Sequence, residues 1–457
     1  MGHEPQHQPD TALYAGENKL LYRLCIVFIA FSCILLGFYL AAGSLHADLA
    51  SVVFSVVTTA VMALIGCILL NLKPFFRSPE YILAASVLLL LGLLLRLSVF
   101  DHQSGDYISF LSVWTAQMRG MSIREALVTP IGDYNMPYLY LLLAISRLPF
   151  YDLYCIKLIS VAADALAALA VGKLTVLMTK RKPVVLLAFA AALLAPTTWL
   201  NSGYWGQCDS VYGAFALWGL YCGLTDRPKS SLLLFSLALS FKLQTIFILP
   251  VLLFLLLSNR IRLRQLPVFP IGFLAAMLPA LLAGRSLYDT FSIYLSQTQA
   301  YPYLSLNAPS FWSMISNDYF SDLAGAPVLI AMICTLLVVW VFLRRCRAPE
   351  PQVFVLLALI FSLMIPWLLP RMHERYFYLA EMLSIVWAAG KAQNLPVAVV
   401  MLSGGFLIYS VYLFGVMPIL SMPLVAAIYG LILLQLICQC YKKLYHNINP
   451  VNQISTD

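Results

Sequence analysis

The chain has 457 residues, of which 61% are hydrophobic and only 11% are charged. A soluble globular protein carries about 25% charged residues, because its surface must meet water. The 28 Lys and Arg and the 20 Asp and Glu residues are therefore too few for a soluble protein of this size. The apolar residues form long blocks such as residues 81–100, and about 20 apolar residues span the hydrocarbon core of a bilayer. The composition predicts a multi-pass membrane protein.

Apolar segments that could cross a membrane as helices recur along the whole chain. We place them at residues 21–42, 50–72, 80–100, 153–178, 183–200, 205–224, 230–257, 266–284, 324–345, 352–370, 376–391, 396–414 and 419–440. The predicted fold class is an all-α polytopic membrane protein of about 13–14 transmembrane helices.

Three segments suggest more than a simple span. The sequence FKLQ (Phe241 to Gln244) interrupts residues 230–257 and predicts a hairpin of two half-helices with Lys242 near its tip. Residues 137–148 are too short to cross a bilayer and are interpreted as re-entrant or interfacial. From Tyr107 to Leu127, apolar residues recur at spacings of three and four with polar residues between them. That pattern predicts a helix lying in the membrane interface within the first large outer loop.

With these assignments the basic clusters fall on one side of the membrane. They are Lys19/Arg23, Lys73/Arg77, Lys180/Arg181/Lys182, Arg227/Lys229, Arg260/Arg262/Arg264, Arg344/Arg345/Arg347, Lys391 and Lys442/Lys443. The positive-inside rule makes this side cytoplasmic, together with both termini. The net charge of +8 then anchors helices in the membrane and does not indicate a nucleic-acid partner. Most cysteines lie in apolar segments, and none has the spacing of a zinc site.

The outer side collects polar residues that could do chemistry. Asp106 follows a span directly, at the height where a membrane-bound substrate presents its polar end. A carboxylate in that place can act as a general base, and the alternative is that it caps a helix N-terminus. Lys242, at the hairpin tip, suits an anionic group such as a lipid phosphate. The alternative for Lys242 is a lysine that snorkels to the interface.

Two further groups of residues are candidates. Arg371, His373 and Arg375 lie within five residues and can clamp a phosphate, or else anchor the end of a span. Residues 201–212 and the loop 285–323 combine aromatic and amide side chains that suit a sugar ring. Lys157 and Asp164, inside a span, either face a cavity or form a structural pair, with each other or with Arg96.

Five motifs then become recognisable in one order. They are SGDYISFLSVW, GDYNMPYLYLLLAISRLP, GYWGQCDSVYGAF, SLALSFKLQTIFILP and RMHERYFY. Over about residues 80–400 the chain resembles a family of polytopic bacterial proteins related to the eukaryotic GPI mannosyltransferase that adds the second mannose. That family belongs to the GT-C class of glycosyltransferases. The predicted organisation is a tail with two extra helices (1–79), a GT-C-like catalytic domain (80–440) and a cytoplasmic tail (441–457).

The resemblance implies inverting transfer of a sugar from a polyprenyl-phosphate donor, with Asp106 as the base by its position. Residues implied to meet the donor phosphate are Lys242, His373, Arg375 and Arg371. Residues expected at the sugar or acceptor site are Asp133, Asn135, Asp209, Gln207, Trp205 and Tyr107. Asp101 and Asp106 do not form an Asp-x-Asp motif, so no motif supports a divalent metal, and no other cofactor is predicted.

The predicted function is therefore transfer of one mannose or other hexose to an extracytoplasmic glycan, glycolipid or wall polymer. The first alternative is a transporter or flippase of lipid-linked glycans, which requires a charged path between both faces. The second is a non-catalytic subunit, which tolerates loss of Asp106. Because no Asn-x-Ser/Thr sequon occurs, the bacterial plasma membrane is preferred to the endoplasmic reticulum.

Overall fold

The computed structural model of the protein describes residues 79–296, 302–323, 325–344 and 349–446. These residues fall into two compact units. One contains helix α1 (Pro79–Leu97) and Pro149–Tyr151. All remaining elements belong to the other unit. The predicted spans 21–42 and 50–72 lie outside the described residues.

Helices of very different lengths form the first half of the larger unit. A π-helix over Tyr107–Leu111 continues into α2 (Ser112–Arg119), followed by α3 (Ile123–Val128), α4 (Met136–Ser146), α5 (Asp152–Met178) and α6 (Lys182–Leu194). Next come α7 (Pro196–Trp199), a π-helix over Leu200–Trp205 and α8 (Asp209–Leu224).

The second half begins with a broken helix and ends with longer helices. Its helices are α9 (Pro228–Phe241), a 3-10 helix over Leu243–Phe247, α10 (Pro250–Leu257), α11 (Val268–Ala283), α12 (Leu287–Ser296), α13 (Phe320–Leu323) and α14 (Ala326–Leu343). They continue with α15 (Pro351–Leu368), a 3-10 helix over Glu374–Phe377, α16 (Tyr378–Gly390), α17 (Leu395–Phe414) and α18 (Met422–His446). Two short strands, β1 (Ser305–Leu306) and β2 (Met372–His373), pair in parallel.

The helices confirm an all-α polytopic membrane protein. Among the described residues, seven helices are long and apolar enough to cross a membrane. An eighth span results if α6 and the segment Pro196–Trp205, bent by 41°, are counted together. The predicted span 419–440 corresponds to α18, which continues to His446. Large apolar side chains remain exposed on α11 and α14, as expected for helices that face lipid.

The predicted hairpin at Lys242 is confirmed. Helix α9 ends at Phe241, and Lys242 is extended, with φ −153° and ψ 131°. The chain then turns through the 3-10 helix into α10. Beyond α10, Arg260 Nη1 donates to the carbonyl of Leu224 at 3.2 Å, which lies just before the start of α9. The chain therefore returns to the end of the bundle at which α9 began.

The predicted interfacial helix over 107–127 is two helices. Its first part ends at Arg119, and α3 starts after Ser122. The Ser122 hydroxyl accepts from the Glu125 amide, and the Glu125 side chain bonds back to the Ser122 amide. This capping box fixes the start of a new helix. The short helix α4, predicted not to cross the membrane, is buried along most of its length.

Candidate active site

A cavity of about 750 Å³ lies at the end of the bundle where α9 and α15 end. Seven acidic or basic side chains line it: Asp106, Asp133, Lys242, Arg371, His373, Glu374 and Arg375. Much of the remaining wall is apolar or aromatic, and includes Phe110, Trp114, Phe241, Ile246, Val328 and Tyr412. The volume is in the range of about 300–1,000 Å³ that is usual for small-molecule sites. The seven acidic and basic side chains come from four separate stretches of the sequence, which meet in this cavity.

Asp106 is held in this wall by hydrogen bonds from residues about a hundred positions away. Trp205 Nε1 donates to Asp106 Oδ2 at 2.9 Å, and Gln207 Nε2 donates to the same oxygen. The side chain makes no hydrogen bond to a helix N-terminus, because Ser104 Oγ accepts from the Tyr107 amide at 3.2 Å instead. The capping interpretation of Asp106 is therefore wrong. Since both bonds end on Oδ2, Oδ1 is the oxygen left to take a proton.

The orientation of the Gln207 amide is fixed by a second contact. Tyr134, which lines the cavity, donates its hydroxyl to Gln207 Oε1 at 3.1 Å. The amide nitrogen must then point at Asp106. Gly206, with φ +81°, separates Trp205 from Gln207 and adopts a left-handed conformation that other residues rarely take. This turn lets two neighbouring side chains reach the same carboxylate.

Lys242 lies opposite a fully buried carboxylate. Its Nζ donates to Asp209 Oδ1 at 2.5 Å, and Asp209 is 0% exposed. Asp209 Oδ2 accepts from Asn201 Nδ2 at 3.0 Å. An ammonium has three N–H donors, and Lys242 lines the cavity, so the pair with Asp209 leaves donors for a ligand. The break after α9 is what brings this cation out of a helix and into the wall.

Arg375 shares the same buried carboxylate. Its Nε lies 3.7 Å from Asp209 Oδ2, and its Nη1 lies 3.7 Å from Glu374 Oε1. The guanidinium also stacks over the Trp205 ring, with Cζ 5.1 Å from the ring centroid. Trp205 therefore contacts both Asp106 and Arg375, so the proposed base and a cation share one rigid support.

The segment carrying Arg371 and His373 is positioned by the strand pair. Ser305 pairs with Met372 and Leu306 with His373. Arg371 adopts φ +61°, a conformation that costs free energy in a non-glycine residue and concentrates at functional sites. Burial, together with the positive charges of Arg375 and Lys242, lowers the pKa of His373 to about 2. A histidine with so low a pKa is neutral and adds no positive charge to the cavity.

Glu374 also lines the cavity, although the sequence suggested no role for it beyond its place in a cluster of ionisable residues. It is 3% exposed, and burial raises the pKa of its carboxyl to about 7, with Arg375 opposing that rise. Neither carboxyl oxygen has a hydrogen-bond partner within the described part of the chain. A buried carboxyl with a raised pKa in a cleft is typical of functional sites. The only sequence signal was its place between His373 and Arg375.

Asp133 is the predicted sugar-site residue that the structure places in the cavity wall. Partial desolvation raises the pKa of its carboxyl, and the negative charge of Asp106 acts in the same direction. The nearby Gly132 has φ +67°, and a Cβ there would lie 2.8 Å from the Trp114 ring. The loop that carries Asp133 is therefore packed directly on a cavity-lining aromatic side chain.

The other residues expected at the sugar site lie behind the wall. They are Asn135, Asp209, Gln207, Trp205 and Tyr107, and each is at most 6% exposed. Gln207 and Trp205 contact Asp106, and Asp209 contacts Lys242. None of the five lines the cavity. Three of them therefore orient the charged side chains of the wall.

Lys157 and Asp164 are structural in this arrangement. Lys157 Nζ donates to the carbonyl oxygens of Phe100 and His102, each at 2.7 Å. Asp164 accepts from the Ser202 hydroxyl at 2.5 Å. Neither residue lines the cavity, and the two do not form the pair considered from the sequence. Lys157 instead ties down the loop that leads to Asp106.

The model of one protein family matches residues 134–370, slightly more than half of the chain. The description of that family is glycosyltransferase family 87. The chain belongs to glycosyltransferase family 87. No curated protein matches it. Membership favours a membrane glycosyltransferase over the transporter interpretation, because the family is defined by sugar transfer.

The family 87 match covers only part of the cavity. Residues 134–370 include Tyr134, Asp209 and Lys242 but neither Asp106 nor residues 371–375. The structure joins these parts through the contacts of Trp205 and Gln207 with Asp106 and of Asp209 with Arg375. Within the described ranges, no group of three or more His, Cys, Asp and Glu side chains could hold a metal ion.

Proposed function

We propose that this family 87 glycosyltransferase moves one sugar from a polyprenyl-phosphate donor to an acceptor hydroxyl, with inversion at the anomeric carbon. The observation that carries the proposal is the convergence of Asp106 with Lys242, Arg371 and Arg375 on one cavity. Sugar transfer from a phosphate-linked donor requires a base for the acceptor hydroxyl and cations for the departing phosphate.

The chemistry follows from the charges. The acceptor oxygen attacks the anomeric carbon as its proton passes to Asp106 Oδ1, and the bond from the anomeric carbon to the phosphate oxygen breaks. The departing polyprenyl phosphate changes from a diester to a monoester and so gains negative charge. Fixed cations stabilise this developing charge more than they stabilise the donor. Asp209 contributes by holding Lys242 and Arg375 in place before the donor binds.

The apolar part of the wall supports a lipid-linked donor. Ile246 and Val328 line the cavity and are 36% and 51% exposed. Phe241 and Phe247 extend this apolar wall beside Lys242. A polyprenyl chain can lie against such a surface while its phosphate reaches the cations. A free sugar nucleotide has no apolar chain to occupy it.

The finer parts of the proposal come from the sequence resemblance. They are the relation to the GPI second-mannose mannosyltransferase, the choice of mannose or another hexose, and a glycan, glycolipid or wall polymer as acceptor. The described basic clusters at 180–182, 227–229, 260–264, 391 and 442–443 lie at the end of the bundle opposite the cavity. This distribution supports an active site on the extracytoplasmic face of a bacterial plasma membrane.

The role of Asp106 is tested by Asp106→Asn in the purified full-length protein. With polyprenyl-phosphate mannose or glucose and an envelope acceptor, we expect release of polyprenyl phosphate to fall by about 10²- to 10⁴-fold in kcat. The donor KM should stay nearly unchanged, because the amide keeps its place in the wall. Asp322→Asn is the matched control, since Asp322 is exposed outside the cavity. Full activity of Asp106→Asn would remove Asp106 as the base.

The role of Lys242 is tested by Lys242→Ala under the same conditions. We expect the donor KM to rise by on the order of tenfold, because a charged hydrogen bond to the phosphate is lost. Lys229→Ala removes an exposed lysine elsewhere in the bundle and serves as the control. A donor KM equal to that of the wild type would contradict the phosphate site, even if Asp106→Asn is inactive.

A further inference from the structure

A second, smaller pocket lies at the opposite end of the bundle. Its volume is about 230 Å³, and its wall comes from the ends of α5, α15, α16 and α18. Helix α15 begins here at Pro351 and ends at Leu368, beside the active-site cavity. Eighteen helical residues rise about 27 Å, close to the thickness of the hydrocarbon core. The two pockets therefore lie near opposite surfaces of the membrane.

The wall of this pocket is strongly cationic. Lys391, Lys442 and Lys443 line it, and no Asp or Glu is among the described residues that do so. Within the described part of the chain, none of the three lysines forms a salt bridge with a carboxylate. Gln352, in the first turn of α15, also lines the pocket. The N-terminus of that helix adds partial positive charge and free amide groups.

Two buried polar atoms of residues that line this pocket have no partner within the described part of the chain. Trp387 Nε1 and Gln439 Oε1 make no hydrogen bond with any described residue, and Trp387 is only 3% exposed. Lys443 Nζ lies 5.8 Å from the centre of the Trp387 ring. Buried polar groups are nearly always paired. An unpaired donor and an unpaired acceptor in residues that line a pocket with three lysines are consistent with a polar ligand there.

We propose that this pocket binds a phosphate group, presented by the headgroup of an anionic phospholipid. Lysine and tryptophan side chains at helix ends lie at the level of the headgroups, and lysines there attract anionic lipids. A pocket of about 230 Å³ fits a phosphate with a glycerol unit and is smaller than most small-molecule sites. The site is separate from the donor cavity and does not depend on the proposed reaction.

The test is ligand-linked thermal unfolding of the purified full-length protein in a nonionic detergent. The probes are dihexanoyl phosphatidylglycerol, sodium phosphate at matched ionic strength, and dihexanoyl phosphatidylcholine as the zwitterionic reference. A ligand that binds only the folded state raises the unfolding midpoint in proportion to its affinity. Each lysine near an anionic group is worth about a fivefold change in affinity. The triple variant K391Q/K442Q/K443Q should therefore lower the affinity for phosphatidylglycerol by on the order of a hundredfold.

Two further variants distinguish specific binding in this pocket from nonspecific attraction to a basic surface. K229Q/R262Q/R264Q removes three exposed cations from the same end of the bundle and should bind as the wild type does. Trp387→Phe keeps an aromatic ring but removes the indole N–H donor, and should weaken binding about threefold. This variant also remains informative if the triple variant fails to fold.

The outcomes show whether the pocket binds a phosphate group and whether that group belongs to a lipid. Stabilisation by phosphatidylglycerol alone supports a lipid headgroup, and stabilisation by inorganic phosphate through the same residues supports the phosphate group itself. The proposal is overturned if neither anion raises the midpoint more than phosphatidylcholine does. It is also overturned if the triple variant binds like its control, or if Trp387→Phe leaves the affinity unchanged.

Discussion

At the scale of single residues, the charged side chains of the cavity depend on buried neighbours whose supporting role cannot be inferred from the sequence. Asp106, Lys242 and Arg375 were singled out because charges are scarce in this chain and these three lie near the outer ends of apolar segments. Their supports, Gln207 and Asp209, act through hydrogen bonds over 101 and 33 positions. Contacts at such separations are set by helix packing, so spacing along the chain could not assign these roles.

Glu374 shows the same limit and leads to a prediction on pH. Burial raises the pKa of its carboxyl from the ordinary 4.5 to about 7 in the folded protein. The folded state therefore binds a proton more tightly, and Glu374 lowers the free energy of unfolding as the pH rises from about 4.5 to about 7. The slope is at most about 1.4 kcal/mol per pH unit. Above pH 7 both states are ionised and the contribution no longer changes.

The variant Glu374→Gln should remove this slope. The test is the midpoint of thermal unfolding, measured between pH 5 and 8. The midpoint of the variant minus that of the wild type should increase as the pH rises and should become constant above pH 7. Glu350→Gln, at an exposed position, should follow the wild type. A constant difference between Glu374→Gln and the wild type over this range would contradict the raised pKa.

At the scale of elements, helix starts were predictable but the strand pair was not. Ten of the described helices carry proline at their first or second position, including α9, α10 and α15. Proline favours the first turn of a helix because its missing N–H would have no partner there. The strands β1 and β2 have two residues each and join segments far apart in the chain. Such short strands have no periodic pattern that a sequence could reveal.

Lys157 shows how one element positions a residue on another. From α5 it donates to the carbonyls of Phe100 and His102, in the loop that leads to Asp106. In Lys157→Met these carbonyls lose their donor, and Asp106 should shift within the cavity. We expect kcat to fall by about tenfold or more, since a displacement of about 1 Å can cost about a hundredfold. The donor KM should change little, because the cations lie on other elements.

The control for this variant is Lys173→Met, which removes a buried lysine from the same helix. Lys173 lies about four turns further along α5, away from the Asp106 loop. Both variants lose a charge from one helix, so a general loss of stability should affect both. Equal kcat values for Lys157→Met and Lys173→Met would contradict a positioning role for Lys157.

At the scale of the whole molecule, the distribution of charges in the sequence predicted which parts of the chain lie at each end of the bundle. Among the described residues, the basic clusters at 180–182, 227–229, 260–264, 391 and 442–443 lie at one end, and the cavity lies at the other. The separation depended on interpreting residues 230–257 as a hairpin, since a single span would have moved Arg260, Arg262 and Arg264 to the cavity side. The return of the chain from α10 to Leu224 removes that ambiguity. The way the helices pack into one cavity remained beyond the sequence, because it depends on contacts between distant segments.

The orientation in the membrane gives the last prediction. Ser321, in α13, and Ser230, in the first turn of α9, are exposed at opposite ends of the bundle. In intact cells, a membrane-impermeant maleimide should label Ser321→Cys and should label Ser230→Cys only after lysis. The wild-type protein measures the background from native cysteines. The expected difference follows from the positive-inside rule, because Ser230 adjoins Arg227 and Lys229. Labelling of Ser230→Cys alone in intact cells would reverse the orientation and place the cavity on the cytoplasmic side.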